Sequence, residues 1–242
     1  MSYVIEQRLM SSLPNKALPV AKYVIAHESG NAKNNGPNAL ENEITFMNRN
    51  KANAFTSHWV GGGGRIVQIA PINKVQYGCG PKGNPLSYAQ VELARTSDKD
   101  QFKKDYAAYI WLLRKLAKDA GIPIVLDSSG NGIKSHRWIT NNLGGTTHVD
   151  PYSYLQSMGI SEAQFKQDIK NGVPTTPTTS MQPKEEAKVT NSLTSTAKED
   201  FRGLLKEMYK QGILKVDHSE KVDFMTDGEA LGLLISVVKR AL

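Results

Sequence analysis

Apolar residues run along this chain in two rhythms. Residues 23–27, YVIAH, form the unbroken apolar run that a buried strand requires, and the run ends on His27. Residues 56–60 and 65–69 are two further strand-like runs flanking four consecutive glycines, which predicts a hairpin with a loose turn. Residues 89–94 are apolar apart from Glu92, and residues 122–126 read as another short strand. Helical spacing begins at Leu40, Ile44 and Met47, with Asn38 as the expected cap and an end near Arg49. It is strongest over residues 102–120, where Phe102, Tyr106, Ile110, Leu113 and Leu116 share one face. Lys103, Lys104, Arg114 and Lys118 lie off that face, and Gly121 and Pro123 mark the stop. Residues 161–170 predict a closing helix, and the first twenty residues read as a lead-in. Strands interleaved with helices give the α/β class, with a mixed central sheet flanked by helices.

The rhythm stops over residues 174–197, where Pro, Thr and Ser dominate. A flexible linker of this length spans roughly 25–30 Å. Periodicity returns over residues 198–242. Phe201, Leu204, Leu205 and Met208 mark one helix ending near Gly212, and a capping box from Thr226 to Glu229 opens a second. Ala230, Leu233, Leu234, Val237 and Val238 form the apolar face of that second helix. The expected division is a domain over 1–173, a linker over 174–197 and a small helical module over 198–242. So small a core is marginal alone, so the module is expected to dock or to form a homo-oligomer.

Composition narrows the function classes. The chain has 242 residues, 39% of them hydrophobic, and no apolar run long enough to span a membrane. No basic start followed by an apolar core opens the chain, so no signal peptide is expected. Cys79 is the single cysteine, which excludes an internal disulfide. A net charge of +7 favours polyanionic partners, but no helix-turn-helix, finger or aromatic-basic pattern points to nucleic acid. The glycine run lacks the Lys-Ser/Thr that a phosphate loop needs.

Candidate chemistry gathers in residues 135–152, SHRWITNNLGGTTHVDPY. His136 and Asp150 are ligands of the kind zinc accepts, and catalytic zinc takes three protein ligands and leaves one position open. His27, at the tip of its strand, is the natural third. Spacing leaves another pairing open, with His148 as ligand and Asp150 as its partner. Glu92 is either an outward edge residue or a carboxylate facing a cleft while Val91 and Leu93 face the core. Cys79 reads as a small buried hydrophobe or as a thiol near the site.

The blocks YVIAHESGN, SHWVGGGGRIVQIAP, VELAR, SHRW and THVDP, in that order, resemble the zinc-dependent N-acetylmuramoyl-L-alanine amidases of type 2. These share a fold with peptidoglycan-recognition proteins, and the likeness covers roughly residues 23–154. The resemblance implies zinc held by His27, His136 and Asp150, and Glu92 as the catalytic glutamate. It implies that His58 supports the site or touches substrate. Many relatives have a lysine two residues before the third ligand, where this chain has His148, a histidine able to do the same work on an oxyanion. Bacterial peptidoglycan is the implied partner, and teichoic acids fit the positive charge. A wall hydrolase without an export signal implies a phage endolysin held in the host cytoplasm until released to the wall. The other readings are a non-catalytic peptidoglycan-recognition protein, which would lack part of this residue set, and a basic nucleic-acid binder.

Overall fold

A computed structural model describes residues 3–173, 193–225 and 227–241. The chain divides into two compact units between residues 175 and 176.

The first unit is built on a six-stranded sheet. In chain order its strands are β1 (Ile5–Gln7), β2 (Tyr23–Glu28), β3 (His58–Gly61), β4 (Arg65–Gln68), β5 (Ser87–Leu93) and β6 (Gly132–Ser135). Their order across the sheet is β1-β4-β3-β5-β2-β6. Only the β3–β4 hairpin is antiparallel; the other neighbours run parallel, so the sheet is mixed as expected. The hairpin turn uses Gly62, Gly63 and Gly64, all at positive φ, where a side chain would strain the backbone. The buried carboxylate of Asp105 accepts hydrogen bonds from the backbone N–H groups of Gly63 and Gly64 at 2.8 and 2.5 Å, which ties the turn to a helix.

That helix is one of six in the first unit: α1 (Ala39–Asn50), α2 (Gly80–Gly83), α3 (Lys99–Asp119), α4 (His136–Asn142), α5 (Tyr152–Ser157) and α6 (Glu162–Asn171). Asp98 caps α3 by accepting from the N–H groups of Asp100 and Gln101. α3 covers one sheet face, where Tyr106, Tyr109 and Leu113 pack against Val24, Val60, Val91 and Leu93. On the other face α1 packs Leu40 and Ile44 over Trp59 and Val67. Farther along that face Ile139 of α4 joins Tyr23, Ile25 and Cys79. The tips of β2 and β5 are left open between these two covers, and that gap is where the site forms.

Three local expectations are corrected. The lead-in contains β1, an edge strand of three residues, too short to show a period. Residues 122–126 form no strand; Leu126 makes a single bridge to Ile133, and Pro123 has no N–H to give to a ladder. The strand at that edge is β6 instead, hidden in the sequence because buried Lys134 interrupts it. The Lys134 ammonium reaches the Ser128 carbonyl oxygen and lies 4.3 Å from the Trp138 ring centre, so a charged side chain is accommodated inside. Asn38 does precede α1, but its side chain makes no capping bond.

The second unit holds α7 (Ser195–Lys210), a 3-10 turn (Ser219–Phe224) and α8 (Asp227–Ala241). α7 begins inside the stretch expected to be linker, because Thr194 caps it through the N–H of Ala197. The rest of the expected linker, residues 174–192, lies outside the described residues, as does Thr226 of the expected capping box. Phe201, Leu205, Leu214, Val222, Ala230 and Val237 make a small core. The apolar face of α8 is only half used: Leu234 is 38% exposed and Val238 50%, beside exposed Leu231 and Ile235. Among the described residues no helix is long and apolar enough to cross a membrane.

Candidate metal centre

Strand alternation explains what the cleft receives. Val24 and Ala26 point to α3, so His27 points to the opposite face, as Ile25 does. β5 runs parallel beside β2 with Glu92 in register with His27, so both side chains leave the sheet on the cleft side. His136 is the first residue of α4, whose start is fixed by Ser135; that side chain accepts from the N–H of Trp138. Asp127 in turn holds Ser135 through both its N–H and its hydroxyl. Asp150 arrives on the loop that follows α4.

These three residues converge. His27 Nδ1 lies 3.2 Å from Asp150 Oδ2, and His136 Nδ1 lies 3.1 Å from Asp150 Oδ1. The two imidazole rings meet edge-on with centres 4.7 Å apart. One ligand atom from each of His27, His136 and Asp150 lies within 4.8 Å of the others, a group able to hold a metal ion. Tetrahedral bonds of ~2.0–2.2 Å place neighbouring ligand atoms roughly 3.3–3.6 Å apart, close to the separations from Asp150. The donor set, two imidazoles and a carboxylate, fits zinc in chemistry, and its atoms, all within 4.8 Å of one another, are close enough to share one ion.

The surroundings shape the charges. Burial would raise the Asp150 carboxyl, but the imidazoles of His136 and His27 set against it prevail and hold it well below the usual carboxylate range. His136 is pushed down, first by burial and then by His27 beside it, against the pull of Asp150. Glu92 is driven far above its ordinary value by burial and then by the negative charges of Asp150, Glu28 and Glu43. Its Oε2 is buried without a hydrogen-bond partner. Such a carboxyl gains from any cation placed in the His27–His136–Asp150 group.

The cleft has a volume of about 1080 Å³. His27, Glu92, His136, His148 and Asp150 line it, with Phe46, Phe55 and Tyr77 among the walls. His148 stacks on His136, ring centres 5.0 Å apart and nearly parallel, and is exposed to the cleft. It lies outside the three-residue group, so the geometry favours Asp150 over His148 as the third donor. His58 is not brought to the cleft. It is in register with Val91, so it leaves the sheet on the α3 side. It is 1% exposed and bonded to Ser57 Oγ, and burial drops its pKa to about 3. Cys79 is fully buried, its thiol pushed up to about 12 by burial, as suits a small core residue rather than a nucleophile.

Several supporting residues escaped the sequence reading. Gln90 Oε1 lies 3.2 Å from His27 Nε2, and Thr146 Oγ1 lies 2.9 Å from His136 Nε2. Glu28 forms a two-pronged pair with Arg95 at 2.6 and 2.7 Å, while its N–H donates to Asp150 Oδ2 at 3.3 Å. The Tyr109 hydroxyl donates to the His27 carbonyl oxygen at 2.8 Å. Strand alternation could have found Gln90, two residues before Glu92 and so on the same face.

Residues 16–153 match the family described as N-acetylmuramoyl-L-alanine amidase, which is more than half of the chain. The chain belongs to this amidase family. An endolysin of Listeria phage A511 is 53% identical over 171 residues, covering 69% of this chain and 49% of that relative. A lytic amidase of Streptococcus pneumoniae phage HB-3 is 42% identical over 171 residues, covering 69% of this chain and 52% of that relative. The amidase chain thus spans about half the length of these curated relatives. Among solved structures, the Staphylococcus aureus hydrolase AmiA, determined with its ligand, aligns at a TM-score of 0.63 and 26% identity, covering 70% of this chain and 83% of that one. The PlyG catalytic domain aligns at 0.53 and 21% identity over 72% of this chain and 99% of that one, a likeness of fold alone.

Proposed function

We infer that this amidase hydrolyses the amide between N-acetylmuramic acid and the L-alanine of the peptidoglycan stem peptide, in the manner of a phage endolysin that lyses its host. One observation carries the reading: His27, His136 and Asp150 converge in a cleft with Glu92 in register beside His27, in a chain of this amidase family. A purely recognising protein has no need of the whole set.

His27, His136 and Asp150 would hold zinc, which supplies Lewis acidity toward the scissile carbonyl and lowers the pKa of water. Glu92 takes the proton of the attacking water and hands it to the alanine nitrogen as the C–N bond breaks. The products are a muramic-acid carboxylate and a stem peptide with a free amino terminus. His148, at the cleft edge against His136, donates to the oxygen on which negative charge develops. Phe46, Phe55 and Tyr77 present apolar wall to the substrate.

The organisation supports a catalytic domain over residues 1–173 and a separate helical module over 198–242 serving wall attachment or self-association. Peptidoglycan, with teichoic acids drawn by the +7 charge, is the proposed partner. Release from the host cytoplasm would rely on a separate membrane-permeabilising protein.

The deciding experiment incubates purified cell walls with the protein, with and without a zinc chelator. New amino-terminal alanine is expected only without chelator. Wall digestion that releases reducing sugar ends instead, or that ignores the chelator, would overturn the reading.

A further inference from the structure

We propose that Gln90 is a positioning residue that holds the His27 imidazole with its proton on Nε2, and so presents Nδ1 to the metal. The inference rests on His27 being a metal ligand, as above.

The buried amide of Gln90 faces His27 Nε2 at 3.2 Å, and its neighbours decide which end points there. The amide nitrogen lies 3.5 Å from the Gln76 carbonyl oxygen and 3.4 Å from Asn84 Oδ1. A backbone carbonyl oxygen only accepts. Asn84 Oδ1 is fixed as an oxygen because it accepts the Cys79 N–H at 2.8 Å. The Gln90 NH₂ must therefore face these two acceptors, which leaves Oε1 toward His27. An amide oxygen cannot donate, so His27 Nε2 must carry the proton of that bond.

In the neutral imidazole, the form that binds a metal, the lone pair of His27 then sits on Nδ1, the atom 3.2 Å from Asp150 Oδ2. Two acceptors meet there, and that meeting calls for a cation between them. Gln90 thus turns His27 into a metal ligand with a defined nitrogen, and its own position is fixed in turn. Its N–H lies 3.0 Å from Gln76 Oε1 and 3.1 Å from Ser57 Oγ. A Cβ at Gly78 would stand 2.2 Å from Gln90 Oε1, so the chain keeps a glycine there.

The test measures zinc affinity of the full chain by competition with a colorimetric chelator. Gln90→Met keeps length but removes the acceptor, and is expected to bind zinc about 10–100-fold more weakly. Its metal-free circular dichroism should match the native spectrum. Gln90→Glu keeps an oxygen opposite Nε2, and its second oxygen, when protonated, donates to the Gln76 and Asn84 oxygens where the amide NH₂ stood, so it should restore most of the affinity. In zinc-loaded protein the His27 ring N–H proton resonance should persist in the native and Gln90→Glu chains and exchange away in Gln90→Met. Native affinity in Gln90→Met, or a Gln90→Glu chain no better than Gln90→Met, would overturn the proposal. If Gln90→Met does not fold, a Gln90→Glu chain that loses zinc overturns it alone. A native chain that binds no zinc removes both this inference and the metal reading; native binding that Gln90→Met leaves intact removes this inference only.

Discussion

His27 and Glu92 stand side by side on parallel strands, register partners whose side chains leave the same face of the sheet. The sheet itself therefore sets the distance between a proposed metal ligand and the carboxyl proposed to handle the water proton. Loops supply the rest, but this pair is built into the ladder.

Glu92→Gln should leave the fold and zinc content intact while wall hydrolysis falls about 10²–10⁴-fold, the usual effect of losing a general base. Zinc content and turbidity loss of wall suspensions read both. A variant that lyses walls at near-native rate takes Glu92 out of the mechanism.

The same substitution should stabilise the metal-free protein. The folded pKa of Glu92 is raised above its unfolded value, first by burial. Its stabilising contribution is thus fully present below the ordinary glutamate pKa of about 4.3 and is lost as pH rises toward the folded value. Glutamine does not titrate. The melting temperature of metal-free Glu92→Gln should exceed that of the native chain by a margin that widens as pH rises from the carboxylate range toward neutrality. A gap that stays constant with pH would count against a strained, buried Glu92.

Zinc should bind at about one ion per chain, and Asp150→Ala and His136→Ala should abolish it while His148→Ala retains it with most turnover gone. His148→Lys should recover substantial activity, since an ammonium can serve the same oxyanion. Metal analysis alongside wall lysis separates the two roles. Loss of zinc in His148→Ala with retention in Asp150→Ala would reverse the ligand assignment.

Arg95→Ala should destabilise the first unit by roughly 3 kcal/mol, because it strands the Glu28 carboxylate, whose side chain is only 5% exposed. Glu28→Gln in the same background should recover part of that loss by removing the unpaired charge. Thermal unfolding of the single and double variants reads this directly.

A chain ending at residue 173 should fold and bind zinc, because the core of the first unit is complete before that point. It should still cleave soluble muramyl-peptides, but be weaker than the full chain against whole cells and smaller in solution, if the helical module attaches the enzyme to walls and self-associates. Equal whole-cell lysis by both chains would end that role, and an unchanged mass in solution would end the self-association role.

Long periodic elements were legible in the sequence because their cores are one-sided: α3 shows its buried face at every turn, and β2 is apolar up to His27. The grouping of His27, His136 and Asp150 was legible because all three sit at or near element ends with few competing roles nearby. Elements whose burial depends on distant partners were not. β6 needs the rings of Tyr23 and Trp138 around Lys134, and no local pattern announces that arrangement. His58 was open to two readings because a histidine in a strand looks the same on either face; register with Val91 turns it away from the cleft, which disfavours substrate contact and leaves support through Ser57.

Asp150 lies 123 residues beyond His27 and reaches it on a loop bent by Gly144 and Gly145, both at positive φ. A cation shared among sheet, helix and loop would therefore be a clasp as well as a reagent. Stripping it would leave a carboxylate opposite two imidazoles and free the stretch between α4 and Asp150 to swing. Amide hydrogen exchange should quicken over residues 143–150 on chelation, with little change in α3. After zinc is returned, lytic activity should come back at the pace of loop re-closure, so a slow recovery would record the clasp rather than the chemistry.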